Sequence, residues 1–160
     1  MNELNSIIMQ IMRHCRNFFI RNQEDGEFTI INGRITLTQA YKVGQYILLL
    51  DDINIVTGIY KIIGVDDIFP NDYLLDDEEL NAKFEGSVYS LAIPPDFLSL
   101  CNDILKFTKK HMPTAYKSET VVNLHNWTMG TKDNGAPITL FDVFSDRFKP
   151  FMRMFAEVSI

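Results

Sequence analysis

The chain has few cysteines, a single tryptophan and no excess of positive charge, which argues against disulfide-stabilised and duplex-binding proteins. It carries only two cysteines and one tryptophan among 160 residues, and its formal net charge is −6. Cys15 and Cys101 both fall in apolar helical patterns, so we expect two buried thiols in a reducing compartment and no disulfide. The net negative charge argues against a surface that binds duplex DNA, because such a surface needs clustered Lys and Arg.

The sequence also lacks the patterns that predict a signal peptide or a membrane-spanning segment. Asn2 and Glu3 stand near the start, and no basic region precedes the first apolar residues, so we expect no signal peptide. No apolar run approaches the roughly 20 residues that span a bilayer. The composition, 46% hydrophobic and 22% charged, is typical of a globular domain with its own core.

Motifs that carry catalysis or hold a cofactor are absent from the sequence. There is no Gly-rich phosphate loop, nucleophile elbow or H-E-x-x-H pattern. The three histidines have no ligand-like spacing, and residues 76–79 lack the spacing of a calcium loop. We therefore expect no enzyme, no cofactor and no metal site. An enzymatic site built from Asp51, Asp52 and the acidic residues of 66–79 is a weaker alternative.

Three helices are expected, over residues 1–22, 95–112 and 139–155. In each range, apolar residues recur at spacings of three and four. Asn2 is a candidate N-cap for the first helix, and Pro95 suits the first turn of the second. The third begins with a Thr-x-x-Asp pattern that is close to a capping box.

The middle of the chain, residues 27–93, is β-prone. Asn32-Gly33 separates two β-prone runs, which is the strongest short signal for a hairpin, and residues 51–54 form a second candidate turn. The acidic stretch 66–79 is expected to be a solvated loop. Together these patterns predict an α+β fold in a single domain: a helical frame of N-terminal, central and C-terminal helices with an inserted antiparallel β region.

A polar segment over 113–138 joins the second and third predicted helices and holds the only tryptophan. Compact domains rarely carry so long a loop without a use for it. We interpret it as an extended arm that docks on a partner, where its β-prone residues add a strand. The alternative is that Trp127 caps the core of its own subunit. The residues expected to bind the partner are Tyr116, Lys117, Ser118, Glu119, Val121, Val122, Trp127 and Met129.

Several short segments follow one another in an order that covers most of the chain. They are Phe28-Thr29-Ile30 with Asn32-Gly33, Gly44-Gln45-Tyr46, Gly58-Ile59-Tyr60, Phe84-Glu85-Gly86 with 88–94, 116–120, and Asp142-Val143-Phe144. This order resembles the head–tail connector (adaptor, neck) proteins, a family of small structural proteins of tailed bacteriophages and prophages.

The resemblance implies a structural component of the virion neck, at the head–tail interface, that assembles in the host cytoplasm. It implies a ring, twelve-fold in this family, of neighbouring copies of the chain beneath the portal protein, in contact with the next neck or tail protein. Genomic DNA would pass through the lumen without sequence-specific binding, and no membrane is involved. An alternative from another class is a small intracellular regulator or inhibitor that binds one host protein through the loop 113–138.

Overall fold

The computed structural model describes residues 1–112, 124 and 127–153. The first elements in chain order are helix α1 (Glu3–Cys15) and strands β1 (Ile20–Ile31), β2 (Arg34–Thr36), β3 (Tyr46–Asp51), β4 (Gly58–Val65), β5 (Asp72–Leu75) and β6 (Ala82–Leu91). They are followed by helix α2 (Pro95–His111), strands β7 (Thr128–Thr131) and β8 (Pro137–Thr139), helices α3 (Leu140–Val143) and α4 (Ser145–Phe148), and a short 3₁₀ helix (Lys149–Phe151).

Six strands close into an antiparallel barrel in the order β1-β2-β5-β4-β3-β6. The longest pairing joins β1 to β6 and runs from Ile20 opposite Leu91 to Ile30 opposite Ala82. The predicted fold, a helical frame with an inserted β region, is therefore wrong. The barrel is the centre of the molecule, because the pairing of β1 with β6 turns the β region into a closed body on which the helices pack.

The hydrophobic core has two parts that share strand β3. Ile47 and Leu49 point into the barrel, while Tyr46 and Leu48 point outward to the helices. Burial on both faces explains why β3 is a continuous apolar run without the usual alternation. The inner core also contains Phe28, Ile30, Ile35, Leu37, Tyr41, Val56, Tyr60, Ile62, Tyr73, Leu75, Phe84 and Val88. The outer core lies between the barrel and α1, α2 and the C-terminal elements.

Helix α1 begins where the sequence predicts but ends earlier. The side chain of Asn2 accepts a hydrogen bond from the backbone N–H of Asn5 at 2.8 Å, which confirms the N-cap. The helix ends at Cys15 instead of near residue 22, since Arg16 and Phe19 both take a φ of 54°. Left-handed backbone cannot continue an α-helix, and the following polar run belongs to β1.

Local turn and cap signals are confirmed at three other places. Asn32 and Gly33, with φ of 51° and 75°, form the two-residue turn between β1 and β2. Helix α2 carries a proline in its first turn. The side chains of Thr139 and Asp142 form the capping box of α3. Each of these signals depends on residues that are close in sequence.

The C-terminal region differs from the single helix expected over 139–155. It holds two short helices, α3 and α4, followed by the 3₁₀ helix that Pro150 occupies. The strands β7 and β8 pair as an antiparallel hairpin inside the segment that was expected to be an extended arm. None of the described helices is long and apolar enough to cross a membrane.

Candidate functional site

The two described residues of the expected partner-binding set lie against the body of their own chain. Trp127 is 3% exposed and belongs to the outer core, with its ring centroid 6.0 Å from that of Phe107. Met129 is half-buried against the same core. This placement agrees with the alternative that Trp127 caps the core of its own subunit. Because an indole buried in this way is already covered, it presents little area to a partner.

The other expected partner-binding residues lie outside the part of the chain that the structure describes. They are Tyr116, Lys117, Ser118, Glu119, Val121 and Val122. The described Leu124 is fully buried, and its backbone N–H donates to the side-chain oxygen of Gln10 over 3.0 Å. The segment is thus fastened to α1 at Leu124 and to α2 through Trp127.

The acidic stretch 66–79 takes part in the fold, which the expectation of a solvated loop did not include. It contains β5, which pairs with both β2 and β4. The carboxylate of Asp76 accepts hydrogen bonds from the side-chain amide of Asn5 at 2.7 Å and from the backbone N–H of Lys61 at 3.0 Å. Asp76 therefore ties helix α1 to the barrel.

Asp51, which belongs to the enzymatic site considered as a weaker alternative, has a structural role. Its carboxylate accepts from the backbone N–H groups of Ile55, at 2.9 Å, and Val56, at 2.7 Å. The hydroxyl of Thr57 donates to it as well, at 3.2 Å. Because these bonds occupy both carboxylate oxygens, Asp51 shapes the loop between β3 and β4.

The described histidines and cysteines form no reactive cluster. His14 stacks on Phe141 with ring centroids 4.3 Å apart, and His111 lies 4.5 Å from Phe107. Cys15 and Cys101 are free and buried, as expected from the sequence. Among residues 1–112, 124 and 127–153, no group of three or more His, Cys, Asp or Glu could hold a metal ion.

Strand β1 carries a buried carboxylate. Glu24 is 9% exposed and accepts from the phenol of Tyr41 at 2.9 Å and from the backbone N–H of Thr38 at 3.0 Å. The backbone N–H of Gln39 donates to it too, at 3.2 Å. Burial, with the hydrogen bond to Glu24, raises the pKa of Tyr41 above its usual range. This network orders the loop between β2 and β3.

A pocket lies beside that network, at the end of β3 where Tyr46 pairs with Leu91. Its volume is about 300 Å³. Two of its lining side chains, Arg21 and Lys42, are cations, and their chain neighbours Ile20 and Val43 are 52% and 61% exposed. The remaining lining residues are Asn22, Gln39, Ala40, Tyr41, Gln45, Ser90 and Leu91. We call this surface the basic pocket.

A projecting loop lies at the other end of β3, between β3 and β4. Ile53 and Ile55 are 66% and 73% exposed there. The backbone N–H of Asp52 donates to the carbonyl of Glu85 at 3.2 Å, which places the loop beside the β1–β6 face. On that face, Glu27 stands directly opposite Glu85. We call the loop and these acids the acidic tip.

Sequence reasoning missed both the basic pocket and the acidic tip. The pocket residues come from strands and loops that are far apart in sequence, so that no local pattern could reveal them. The tip did leave one signal in the sequence. The candidate turn 51–54 contains Ile53 and is followed directly by Ile55, and two isoleucines so placed are unusual for a solvated turn.

Comparison of the chain with protein-family models, with curated proteins and with solved structures gives no match.

Proposed function

We propose that this chain is a structural protein of a tailed-bacteriophage neck, a head–tail connector that forms a ring between the portal and the tail. The observation that carries the proposal is the order of short segments that resembles the connector family. In the fold, four of the segments frame the barrel. Phe28 and Phe84, for example, pack inside it with tilted rings whose centroids are 5.5 Å apart.

The charge of the chain suits a protein that lines a DNA passage without holding the DNA. The net charge of −6 repels the phosphate backbone from the chain as a whole. A negatively charged surface lets DNA slide, whereas clustered cations would retain it.

The carboxylates and thiols that could have served chemistry are instead used by the fold. Asp51 holds a loop and Asp76 holds a helix, as described above. Cys101 is fully buried, and burial raises its pKa, which leaves it a neutral thiol. These placements favour a structural role for the chain.

The proposal is tested by a nonsense mutation in the gene for this chain within its phage or prophage. We expect DNA-filled heads and complete tails that remain separate in electron micrographs. A plasmid copy of the wild-type chain should restore joined, infectious particles. A copy with Ile11→Asp should fail, because this fully buried position cannot hold an unpaired charge. Normal joined particles without the chain would overturn the proposal.

The regulator alternative is separated by the composition of purified particles. A connector remains in the virion, so mass spectrometry of purified particles should detect the chain in a fixed ratio to the portal protein. A regulator that binds a host protein would be absent from those particles. The neighbouring genes supply a second criterion, because a connector gene is expected close to a portal or major capsid gene.

A further inference from the structure

The acidic tip contains an ordered loop that projects from the end of β3. The carboxylate of Asp51 accepts from the backbone N–H groups of Ile55 and Val56, which fixes the loop from inside. Outside, Ile53 and Ile55 remain mostly exposed, at 66% and 73%. Two isoleucines exposed on an ordered loop raise the free energy of the isolated subunit, because each leaves apolar area in contact with water. This arrangement is typical of a surface that a partner covers.

The acids beside the tip lack partners within the described part of the chain. Glu27 and Glu85 face each other across the β1–β6 ladder with exposed side chains. Like charges directly opposite on neighbouring strands destabilise a sheet. No cation of the described residues pairs with either of them or with Asp52. A cation from another molecule would relieve this repulsion.

The basic pocket offers the complementary features. Arg21 and Lys42 line it and form no ion pair with the described residues. Ile20 and Val43, next to them in the chain, supply exposed apolar area at 52% and 61%. The pocket therefore complements the tip in charge and in hydrophobicity. Its cations can pair with the carboxylates of the tip, and its exposed aliphatic side chains can pack against the two isoleucines.

The tip and the pocket cannot meet within one subunit. They lie at opposite ends of β3, which pairs with β6 from Tyr46–Leu91 to Asp51–Gly86. Six strand residues separate the two ends by roughly 17 Å. A contact between one copy's tip and another's pocket is therefore heterologous, and a heterologous contact gives a ring if its rotation closes.

We propose that neighbouring copies of this chain associate head to tail, with the acidic tip of one subunit seated on the basic pocket of the next. Asp52 and Glu85 meet Arg21 and Lys42, while Ile53 and Ile55 cover Ile20 and Val43. The inference deepens the proposed function and rests on it, because a connector ring needs one such contact between successive subunits.

The test is a pair of charge reversals measured by analytical ultracentrifugation at low and high salt. The pocket variant carries Arg21→Glu and Lys42→Glu, and the tip variant carries Asp52→Lys and Glu85→Lys. Each alone should weaken self-association by about tenfold or more, because like charges then meet across the contact. An equimolar mixture should associate again, since each variant now complements the other. The wild-type association should weaken as salt increases.

A matched control is Lys106→Glu with Lys110→Glu, two exposed lysines of α2. It changes the net charge as the pocket variant does and should associate like the wild type. Circular dichroism should give every variant the wild-type spectrum.

Three results would overturn the inference: a wild-type chain that stays monomeric at every concentration, reversals without effect, or a mixture that does not recover. The proposed connector function is tested separately, by whether heads and tails join in the nonsense mutant. If heads and tails stay apart in that mutant, the connector function is supported even where the contact between tip and pocket is wrong.

Discussion

Asn5 in α1 donates a hydrogen bond from its side-chain amide to the carboxylate of Asp76 over 2.7 Å, and this bond fastens the first helix to the barrel. Asn5 is 1% exposed, so its amide has almost no access to water. The same carboxylate accepts from Asn2 at 3.1 Å and from the backbone N–H of Lys61 at 3.0 Å. One acidic side chain thus serves the helix, its cap residue and strand β4.

Asp76→Ala should destabilise the protein. The substitution leaves the buried amide of Asn5 and the N–H of Lys61 without their acceptor, which costs about 1–3 kcal/mol in the free energy of unfolding. Urea unfolding followed by circular dichroism measures the loss. Glu78→Ala is the matched control, since Glu78 is an exposed carboxylate two residues away. Equal losses in the two variants would contradict the role given to Asp76.

Gly86→Ala should disturb the barrel at the end that carries the acidic tip. A Cβ at Gly86 would lie 2.1 Å from the carbonyl oxygen of Leu50 and 2.9 Å from the Cα of Asp51. Both are backbone atoms of β3, so that β3 and β6 must move apart, at a cost of about 1–3 kcal/mol. The melting temperature reports this cost. Gly64→Ala is the control, because the nearest atom there is a side-chain carbon of Leu74 at 3.6 Å.

Trp127→Ala should destabilise the isolated subunit. Removing a buried indole from a packed core costs about 3–5 kcal/mol, and Trp127 is 3% exposed. Thr131→Ala, at an exposed position of the same hairpin, should cost little.

The fluorescence of this single tryptophan gives an independent measurement. In a subunit shown by ultracentrifugation to be monomeric, emission should already be blue-shifted and should move to the red on unfolding. Emission typical of a solvated indole in that monomer would instead support the docking arm.

The two thiols should be unreactive in the folded protein. Burial raises the pKa of Cys15 from 9.0 to about 11, and it raises the pKa of Cys101 further. Ellman's reagent at pH 8 should therefore label neither thiol until denaturant is added, after which it should label two. Rapid labelling of the native chain would contradict the burial of these side chains.

The raised pKa of Cys15 also predicts the pH dependence of stability. As pH rises past 9.0, the unfolded chain loses the thiol proton while the folded chain keeps it. The contribution of this thiol to stability is thus fully present below pH 9 and is lost as pH approaches 11. The melting temperature of the wild type should fall more steeply over this range than that of Cys15→Ala.

The sequence predicted those parts of the fold that neighbouring residues determine. Asn2 caps α1, Asn32-Gly33 turns between β1 and β2, and Thr139 with Asp142 caps α3. In each case, the signal and the structure lie within four residues. Such local patterns specify an element without any knowledge of what packs against it.

Closure of the barrel was not predicted because it depends on distant pairing. Ile30 pairs with Ala82, and nothing near either residue indicates the other. The polar run 23–26 was left between the predicted first helix and the predicted β region, yet it belongs to β1, where it pairs with β6. Within it Glu24 is buried with four hydrogen-bond donors, while its neighbours face outward.

The candidate site was even less accessible to sequence reasoning. The arm was proposed from its polarity and its tryptophan, whereas the structure covers Trp127 with the chain's own helices. The basic pocket gathers Arg21 and Lys42 only after β1 and β3 have both paired with β6. A surface of this kind exists only in the folded molecule.

The position of β3 in both cores has a consequence for how the molecule melts. Ile47 and Leu49 contribute to the barrel interior, and Tyr46 and Leu48 to the layer beneath the helices. Because one backbone carries both sets, opening of the barrel also removes the surface on which the helices pack. We therefore expect the amides of α2 to exchange their hydrogens no more slowly than those of β6.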